Sequence, residues 1–246
     1  MSPTSSSVAL VTGGSRGIGA AICRRLAGQG ASVAVNYAHG KDAADAVVSS
    51  IIAAGGRAVA IAGDVGSPTG MTELFDAAER VLGRVDILVN NAGIMQLAPI
   101  AEFDDAAFEQ QVALNLGGAF RGMREAARRL ADGGRIINFS SSVVGLYQPG
   151  YGVYAATKAA VEAMTHILAK ELGSRRITVN AVAPGPVATD LFLKGKSDEQ
   201  VAAAAKAHPF GRIGEPEDIA RVVAFLAGPD SAWVNGQVIR ANGGVI

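Results

Sequence analysis

A doubly wound α/β fold, one parallel sheet of about seven strands with helices on both faces, is what this sequence predicts. Three observations predict it. Strand-like and helix-like segments alternate from Val8 onward with little filler, the pattern of repeated βα units joined by right-handed crossovers. The strand-like segments are runs of β-branched and aliphatic residues without polar alternation, as expected when helices cover both faces of a parallel sheet. A glycine-rich turn, Thr12-Gly13-Gly14-Ser15-Arg16-Gly17-Ile18-Gly19, separates the first strand from the first helix. No linker-like stretch, internal repeat or low-complexity region interrupts the pattern. Residues 8–246 are therefore expected as one domain behind a flexible, polar, Ser-rich N-terminus over 1–7.

In order, Val8–Thr12 reads as a short apolar strand and Gly17–Gly30 as a helix. Ser32–Asn36 is a strand and Asp42–Ala54 a helix; Ala58–Ala62 is the third strand. Pro68–Leu82 follows as a helix with proline near its first turn. Asp86–Asn90 is the fourth strand. Asp104 is a suitable N-cap for a long helix reaching about Leu130. Arg135–Ser140 is the fifth strand, and Tyr154–Leu172 a helix in which Ala, Val, Met, Ile and Leu recur at helical spacing. Ile177–Ala183 is a strand, Pro216–Ala227 a helix and Gln237–Arg240 the last strand. The irregular stretch 185–211 holds Pro186, Gly195 and Pro209 around an Ala-rich patch. An insertion of that length is expected to act as a lid, over about 186–211.

Bulk composition narrows the function classes. Lys+Arg and Asp+Glu number 22 each, so the formal net charge is zero and no basic excess calls for nucleic acid. The single cysteine, Cys23, lies in an apolar helical pattern and is read as a buried core residue. With no second cysteine there is no intrachain disulfide, which fits a reducing compartment. The N-terminal residues lack a signal-peptide pattern, and no apolar run approaches the roughly 18 residues of a membrane span. A soluble cytoplasmic protein without a membrane partner is the expectation.

The chemistry is concentrated in Ser140-Ser141-Ser142 and in Tyr154-Ala155-Ala156-Thr157-Lys158. Residues four apart lie on one face of a helix, which places the Tyr154 phenol beside the Lys158 ammonium. A neighbouring cation favours the phenolate, so the tyrosine pKa is expected to fall towards neutrality. A phenol so tuned is suited to general acid/base work near pH 7. Ser141 lies thirteen residues before Tyr154, at the end of the fifth strand, where its hydroxyl would steady the same substrate oxygen. On spacing alone, an exposed Tyr/Lys pair on an amphipathic helix would read the same way.

The glycine turn supplies context. Gly13, Gly14, Gly17 and Gly19 let the backbone turn sharply and approach a pyrophosphate, with Ser15, Arg16 and Ile18 lining it. The helix N-terminus adds free N–H groups and a positive dipole end, the arrangement of a Rossmann-type dinucleotide fold. In such folds an acidic residue after the second strand takes the ribose 2′-OH. Here that strand ends Val35-Asn36-Tyr37-Ala38, with no carboxylate before Asp42. Arg16 suits a 2′-phosphate, so NADP(H) is expected over NAD(H), while Lys41 is read as a solvated cation. Asp64-Val65 would meet the adenine, and Asn90-Asn91-Ala92-Gly93 would line the cofactor. As isolated strings, both are more often turn chemistry.

Thr-Gly-x3-Gly-x-Gly, Asn-Asn-Ala-Gly, a strand-end Ser, Tyr-x3-Lys and Pro184-Gly185 occur in that order. With "TGGSRGIG", "NNAG" and "VNAVAPG" as they stand, the chain resembles the short-chain dehydrogenase/reductase family over residues 8 to 244. Within the family it is most similar to 3-oxoacyl-[acyl-carrier-protein] reductase-like members. The resemblance implies Tyr154 as catalytic acid/base and Lys158 as the residue that lowers its pKa and binds the nicotinamide ribose. It implies Ser141 as the holder of the substrate oxygen, with Ser142 as runner-up, and Asn115 as the residue that holds a proton-relay water. Asn91, Ala92 and Gly93, with Pro184, Gly185, Val187 and Thr189, would lie against the cofactor. Met95, Gln96, Gln148, Tyr151 and Phe192 are candidates to line the substrate pocket, with loop packing as an equal reading. Family members usually form tetramers through the long helix and the Tyr154 helix, which implies a homotetramer. Gly117, Gly118 and Gly122 in that long helix suggest a close packing contact.

These readings converge on an NADP(H)-dependent ketoreductase acting on a small-molecule ketone or secondary alcohol, of 3-oxoacyl type or small. Its rivals are an NAD-dependent alcohol or sugar dehydrogenase, a redox-sensing NADP(H)-binding protein and a purely structural oligomer subunit. His39, His166 and His208 show no ligand spacing with one another or with Cys23, so no metal site is expected. A serine hydrolase is disfavoured because no Gly-x-Ser-x-Gly elbow surrounds Ser140–Ser142.

Overall fold

Alternating apolar positions along each strand face opposite sides of a sheet. The computed structural model, which describes residues 7–246, buries both sides. The strands are β1 Val8–Val11, β2 Ser32–Tyr37, β3 Arg57–Ala62, β4 Ile87–Asn90, β5 Arg135–Phe139, β6 Thr178–Pro184 and β7 Val238–Ala241. All pair in parallel, in the order β3-β2-β1-β4-β5-β6-β7. Residues 1–6 of the expected N-terminal segment lie outside the described residues.

Ten α-helices are described: α1 Gly17–Gly28, α2 Lys41–Ala53, α3 Gly70–Leu82, α4 Asp105–Val112, α5 Ala119–Arg129, α6 Val143–Leu146, α7 Gly152–Glu171, α8 Asp190–Leu193, α9 Asp198–Ala207 and α10 Pro216–Ala227. On one face Ile22, Leu26, Val47, Ile51, Val223 and Leu226 from α1, α2 and α10 pack on Val11, Val33, Val35 and Val89. On the other, Leu74, Phe75, Met123, Ala126 and Ala169 from α3, α5 and α7 pack on Leu10, Leu88, Ile136 and Val179. Within β1, Ala9 and Val11 serve one core while Val8 and Leu10 serve the other. That double burial explains the unbroken apolar runs. The strand order reverses between β1 and β4, which opens a crevice beyond their carboxyl ends.

Most expected boundaries fall within two residues of those observed, with two departures. The long helix expected over 104–130 is interrupted by a π-turn at Ala113–Gly118 between α4 and α5. Gly117 and Gly118 hold a helix weakly, and the side chain of Asn115 turns to the backbone of Ile94. Asp104 does cap α4, accepting from the Ala107 N–H at 3.0 Å. The second departure is the stretch 185–211, which contains α8 and α9. The Ala-rich patch becomes α9, closed by a capping box in which Ser197 and Gln200 serve each other's backbone. Pro186, Gly195 and Pro209 lie outside it, so they bound helices instead of preventing them.

The close contact expected at the glycines lies within the chain. A Cβ on Gly122 would sit 2.2 Å from Asn90 Oδ1, and one on Gly118 would sit 3.2 Å from the carbonyl of Val65. Among the described residues no helix is long and apolar enough to cross a membrane.

Candidate active site

The glycine turn enters the crevice at the end of β1. Gly13 and Gly17 adopt φ of +62° and +51°, a region open to glycine at no steric cost. A Cβ on Gly19 would fall 2.2 Å from the carbonyl of Gly13, so the first turn of α1 closes directly on the loop. Side chains from two other strands hold it there. Asn36 Oδ1 accepts from Gly13 N–H at 3.2 Å, its backbone carbonyl accepts from Gly14 N–H at 2.7 Å, and its Nδ2 donates to the carbonyls of Ile61 and Gly63. Asn91 Nδ2 donates to the carbonyls of Thr12 and Gly13, at 2.9 and 3.1 Å. The Thr12 hydroxyl accepts from Asn91 N–H and Ala92 N–H, both at 3.0 Å. Asn36 is thus engaged with the protein itself, as a brace of the loop, and is buried.

The remaining dinucleotide candidates surround this loop. Arg16 is the N-cap residue of α1, exposed and without an ion pair among the described residues. Ser15 and Ile18 beside it are partly exposed. Tyr37 ends β2, half-buried, and Lys41 pairs instead with Asp45 on α2 at 2.5 Å. Asp64 is exposed at the end of β3, with Oδ1 accepting from Gly66 N–H at 2.8 Å, and Val65 is buried behind it. Pro184 ends β6 beside β7, and Gly185 follows it, donating to the carbonyl of Ala241 at 3.3 Å. Val187 is buried, and Thr189 lies over the glycine loop, its Cγ2 being 3.2 Å from where a Gly17 Cβ would be. The glycines of this loop cannot bear side chains without filling the cradle or straining the turn, which suits close approach of a pyrophosphate.

Across the crevice, Tyr154 and Lys158 stand on one face of α7 and are buried, at 7% and 4% exposure. Lys158 Nζ is 5.7 Å from the centroid of the Tyr154 ring and donates to the carbonyl of Phe139 at 2.9 Å. The three serines separate cleanly. Ser140 Oγ donates to Glu162 Oε1 at 2.6 Å. Ser142 Oγ donates to the carbonyl of Ala183 at 3.2 Å and accepts from Asn242 Nδ2 at 2.9 Å. Ser141, whose Oγ accepts from Val143 N–H at 3.4 Å, is the one whose side chain lowers the pKa of the Tyr154 phenol. Asn115, in the π-turn, accepts from Ile94 N–H at 2.9 Å and donates to the Ile94 carbonyl at 2.8 Å. A Cβ on Gly93 would lie 3.2 Å from Asn115 Oδ1 and 3.7 Å from Lys158 Nζ, so these residues converge. A π-turn inside a helix is a frequent mark of a functional site.

The electrostatics correct one expectation. Burial pushes the Tyr154 phenol up to about 12, with the Ser141 hydrogen bond acting in the opposite direction and Tyr151 raising it further. Burial likewise brings Lys158 down to about 8. The expected fall of the tyrosine pKa towards neutrality is therefore absent. Removing the pair from water penalises both charged forms, and this sets the direction of both shifts. The Cys23 thiol, buried against Gly14, is also pushed up by burial.

A family profile described as Enoyl-(Acyl carrier protein) reductase matches residues 13–246. A "Short-chain type dehydrogenase/reductase" of Picea abies is 47% identical, covering 97% of this chain and 92% of its own length. The chain belongs to the short-chain dehydrogenase/reductase family. It is an NAD(P)-dependent oxidoreductase of that family. An "NADPH-dependent aldehyde reductase-like protein, chloroplastic" of Arabidopsis thaliana is 45% identical over 99% of this chain and 96% of its own. The solved structure of "angucycline C-6 ketoreductase LanV with bound NADP" superposes with a TM-score of 0.94 at 39% identity, covering 99% of this chain and 96% of that one.

Among the substrate-side candidates of this short-chain dehydrogenase/reductase, Met95 and Gln96 lie just beyond Gly93, after Ile94. Gln148 is exposed and Tyr151 half-buried just before α7, and Phe192 on α8 stacks under Lys196 Nζ at 4.4 Å. Three braces escaped the sequence reading: Thr12, Glu162 and Asn242. Thr12 stood inside the glycine string, yet its partners are about eighty residues away. Asn242 meets Ser142 across a hundred residues, a pairing no local pattern encodes.

Proposed function

We propose that this chain is an NADP(H)-dependent ketoreductase, interconverting a ketone of 3-oxoacyl type or small size with its secondary alcohol. The observation that carries the reading is the convergence of Ser141, Tyr154, Lys158 and Asn115 beside a braced glycine loop at the carboxyl edge of the sheet. Gly13, Ser15, Gly17, Ile18 and Gly19 would hold the pyrophosphate, and Asp64 and Val65 the adenine. Asn91, Ala92 and Gly93, with Pro184, Gly185, Val187 and Thr189, would line the nicotinamide half. Preference for NADP(H) rests on Arg16, free of any acidic partner among the described residues, and on the lack of a carboxylate at the end of β2. Arginine takes a phosphate in bidentate fashion where a carboxylate would repel it. The NADPH-dependent relative and the NADP-bound neighbour support the same preference.

When bound, the cofactor supplies the hydride chemistry. The chain's own residues position the carbonyl and manage the proton. Tyr154, which burial keeps protonated, gives its proton to the carbonyl oxygen. Ser141 donates a hydrogen bond to the same oxygen as charge develops there. Lys158 places a cation beside the phenolate left behind, and Asn115 holds a water that returns the proton. Residues 186–211, carrying α8 and α9, act as the lid over this site. A homotetramer is supported by apolar side chains left outside on α5 and α7, Phe120 at 48% and Ile167 at 58% exposure. A cytoplasmic location is supported by the lone, buried Cys23.

The test is NADPH oxidation followed spectrophotometrically with a panel of ketones, for the parent and for Tyr154→Phe. The parent should turn over at least one ketone, and the variant should lose nearly all turnover while still binding NADPH. Full turnover by the variant would overturn the assignment.

A further inference from the structure

Four residues before Asn115, Gln111 is fully buried on α4, and the assignment above gives it no role. Its Oε1 accepts from the backbone N–H of Gln96 at 2.7 Å. Residues four apart share a helix face, so Gln111 and Asn115 form two rungs. The upper holds Ile94 by both its N–H and its carbonyl, the lower holds Gln96. Gln110 adds a fourth bond, accepting from the Gln96 side chain at 2.8 Å. At the other end of the same segment, Ala98 N–H donates to the carbonyl of Gly150 at 3.1 Å. A Cβ on Gly152, the first residue of α7, would touch Ile100 Cγ1 at 2.9 Å.

Residues 94–100 are thus gripped from α4 on one side and from the start of the Tyr154 helix on the other. They begin next to Gly93, itself beside Lys158 Nζ. They carry no charged side chain. Gln111 also holds a cost: its Nε2 finds no acceptor among the described residues. A buried amide donor left unpaired loses more than one ordinary hydrogen bond returns. A methionine or leucine would fill that space without the penalty. The polar residue therefore has its reason in what it holds, a local departure from stability of the kind found beside functional sites.

We propose that Gln111 is a positioning residue for the proposed ketone reduction, on which this inference rests. It fixes the backbone at Gln96 and so sets where Met95, Gln96 and Leu97 stand against a ketone bound at Tyr154. It touches neither reacting atom and acts through the wall it holds.

Two variants separate this from a general packing role. Gln111→Met keeps length and removes the acceptor; Gln111→Glu keeps an oxygen at the same distance. Hydrogen exchange of the full-length protein should show the Gln96 amide exchanging about tenfold faster or more in Gln111→Met, with β4 and α7 unchanged, and near-parent protection in Gln111→Glu. With NADPH and 1-tetralone as the neutral ketone, Gln111→Met should raise KM about tenfold, keep kcat within about twofold and leave NADPH affinity unchanged. Gln111→Glu should restore KM. Unchanged Gln96 exchange in Gln111→Met would overturn the proposal. So would a parallel fall of kcat, NADPH affinity and melting temperature in both variants. A parent inert to every ketone would defeat the functional reading alone, and the exchange result would still decide whether Gln111 holds this wall.

Discussion

Replacing Lys158 by methionine keeps the length of a side chain that is 4% exposed and removes an ammonium that burial has brought from 10.5 down to about 8. Below about pH 8 the lysine is charged both folded and unfolded, and the whole desolvation penalty is present. Between the two values the unfolded chain binds a proton that the folded chain has released, so stability rises with pH through that window. The full interval corresponds to about 3 kcal/mol. From about pH 7 to about pH 9 the gain from this one group is about 1.3 kcal/mol.

Two other buried groups pull the opposite way. Cys23 is raised by burial, so its unfolded form releases a proton first above its ordinary value of 9.0, and Tyr154 does the same between 10.0 and about 12. The Cys23 contribution is common to parent and variant and cancels in the difference, and Tyr154 titrates above the pH range used. The lost bond to the Phe139 carbonyl lowers stability equally at every pH, so only the slope is informative. Urea unfolding of the cofactor-free protein should be followed by far-UV circular dichroism, because Trp233 is 99% exposed and reports poorly on the core. Stability of the parent relative to Lys158→Met should rise by about 1.3 kcal/mol across this range. Slopes equal to within about 0.3 kcal/mol would refute a buried, easily neutralised lysine.

Four further outcomes follow from the same geometry. Arg16→Glu should weaken NADPH at least about tenfold more than NADH in fluorescence titrations, since it replaces a charge-assisted donor by a repelling carboxylate; an unchanged preference would remove Arg16 from the site. Ser141→Ala should lower kcat by about 10²-fold with stability intact. Ser142→Ala should instead cost about 1–3 kcal/mol in urea unfolding, because Asn242 Nδ2 loses its buried acceptor; kinetics that reversed these two serines would contradict the assignment. Gly122→Ala should destabilise by about 1–3 kcal/mol, its methyl falling 2.2 Å from Asn90 Oδ1, which a thermal melt would register.

Local pattern carried most of the fold. The run Val8–Val11 and its successors are apolar on both faces because two helical layers cover them, and that is written in consecutive residues. The site was legible for a related reason: the glycine turn and the Tyr154/Lys158 spacing each span less than ten residues, within which backbone geometry alone fixes who faces whom. Legibility failed where partners are distant. The π-turn at Ala113–Gly118 arises because Asn115 reaches Ile94, and the Ala-rich helix α9 was obscured by bounding prolines and glycine that lie outside it.

By itself, then, the sequence determined a parallel α/β sheet, a glycine loop at its first turn and a phenol–ammonium pair on one helix face. Only the tertiary structure decided which of three adjacent serines meets that phenol, since Glu162 and Asn242 draw the other two away across long separations. It also decided the sign of the Tyr154 shift. Spacing shows the charge nearby, but the loss of water around both groups comes from helices and strands remote in the chain, and that loss sets the direction of both shifts.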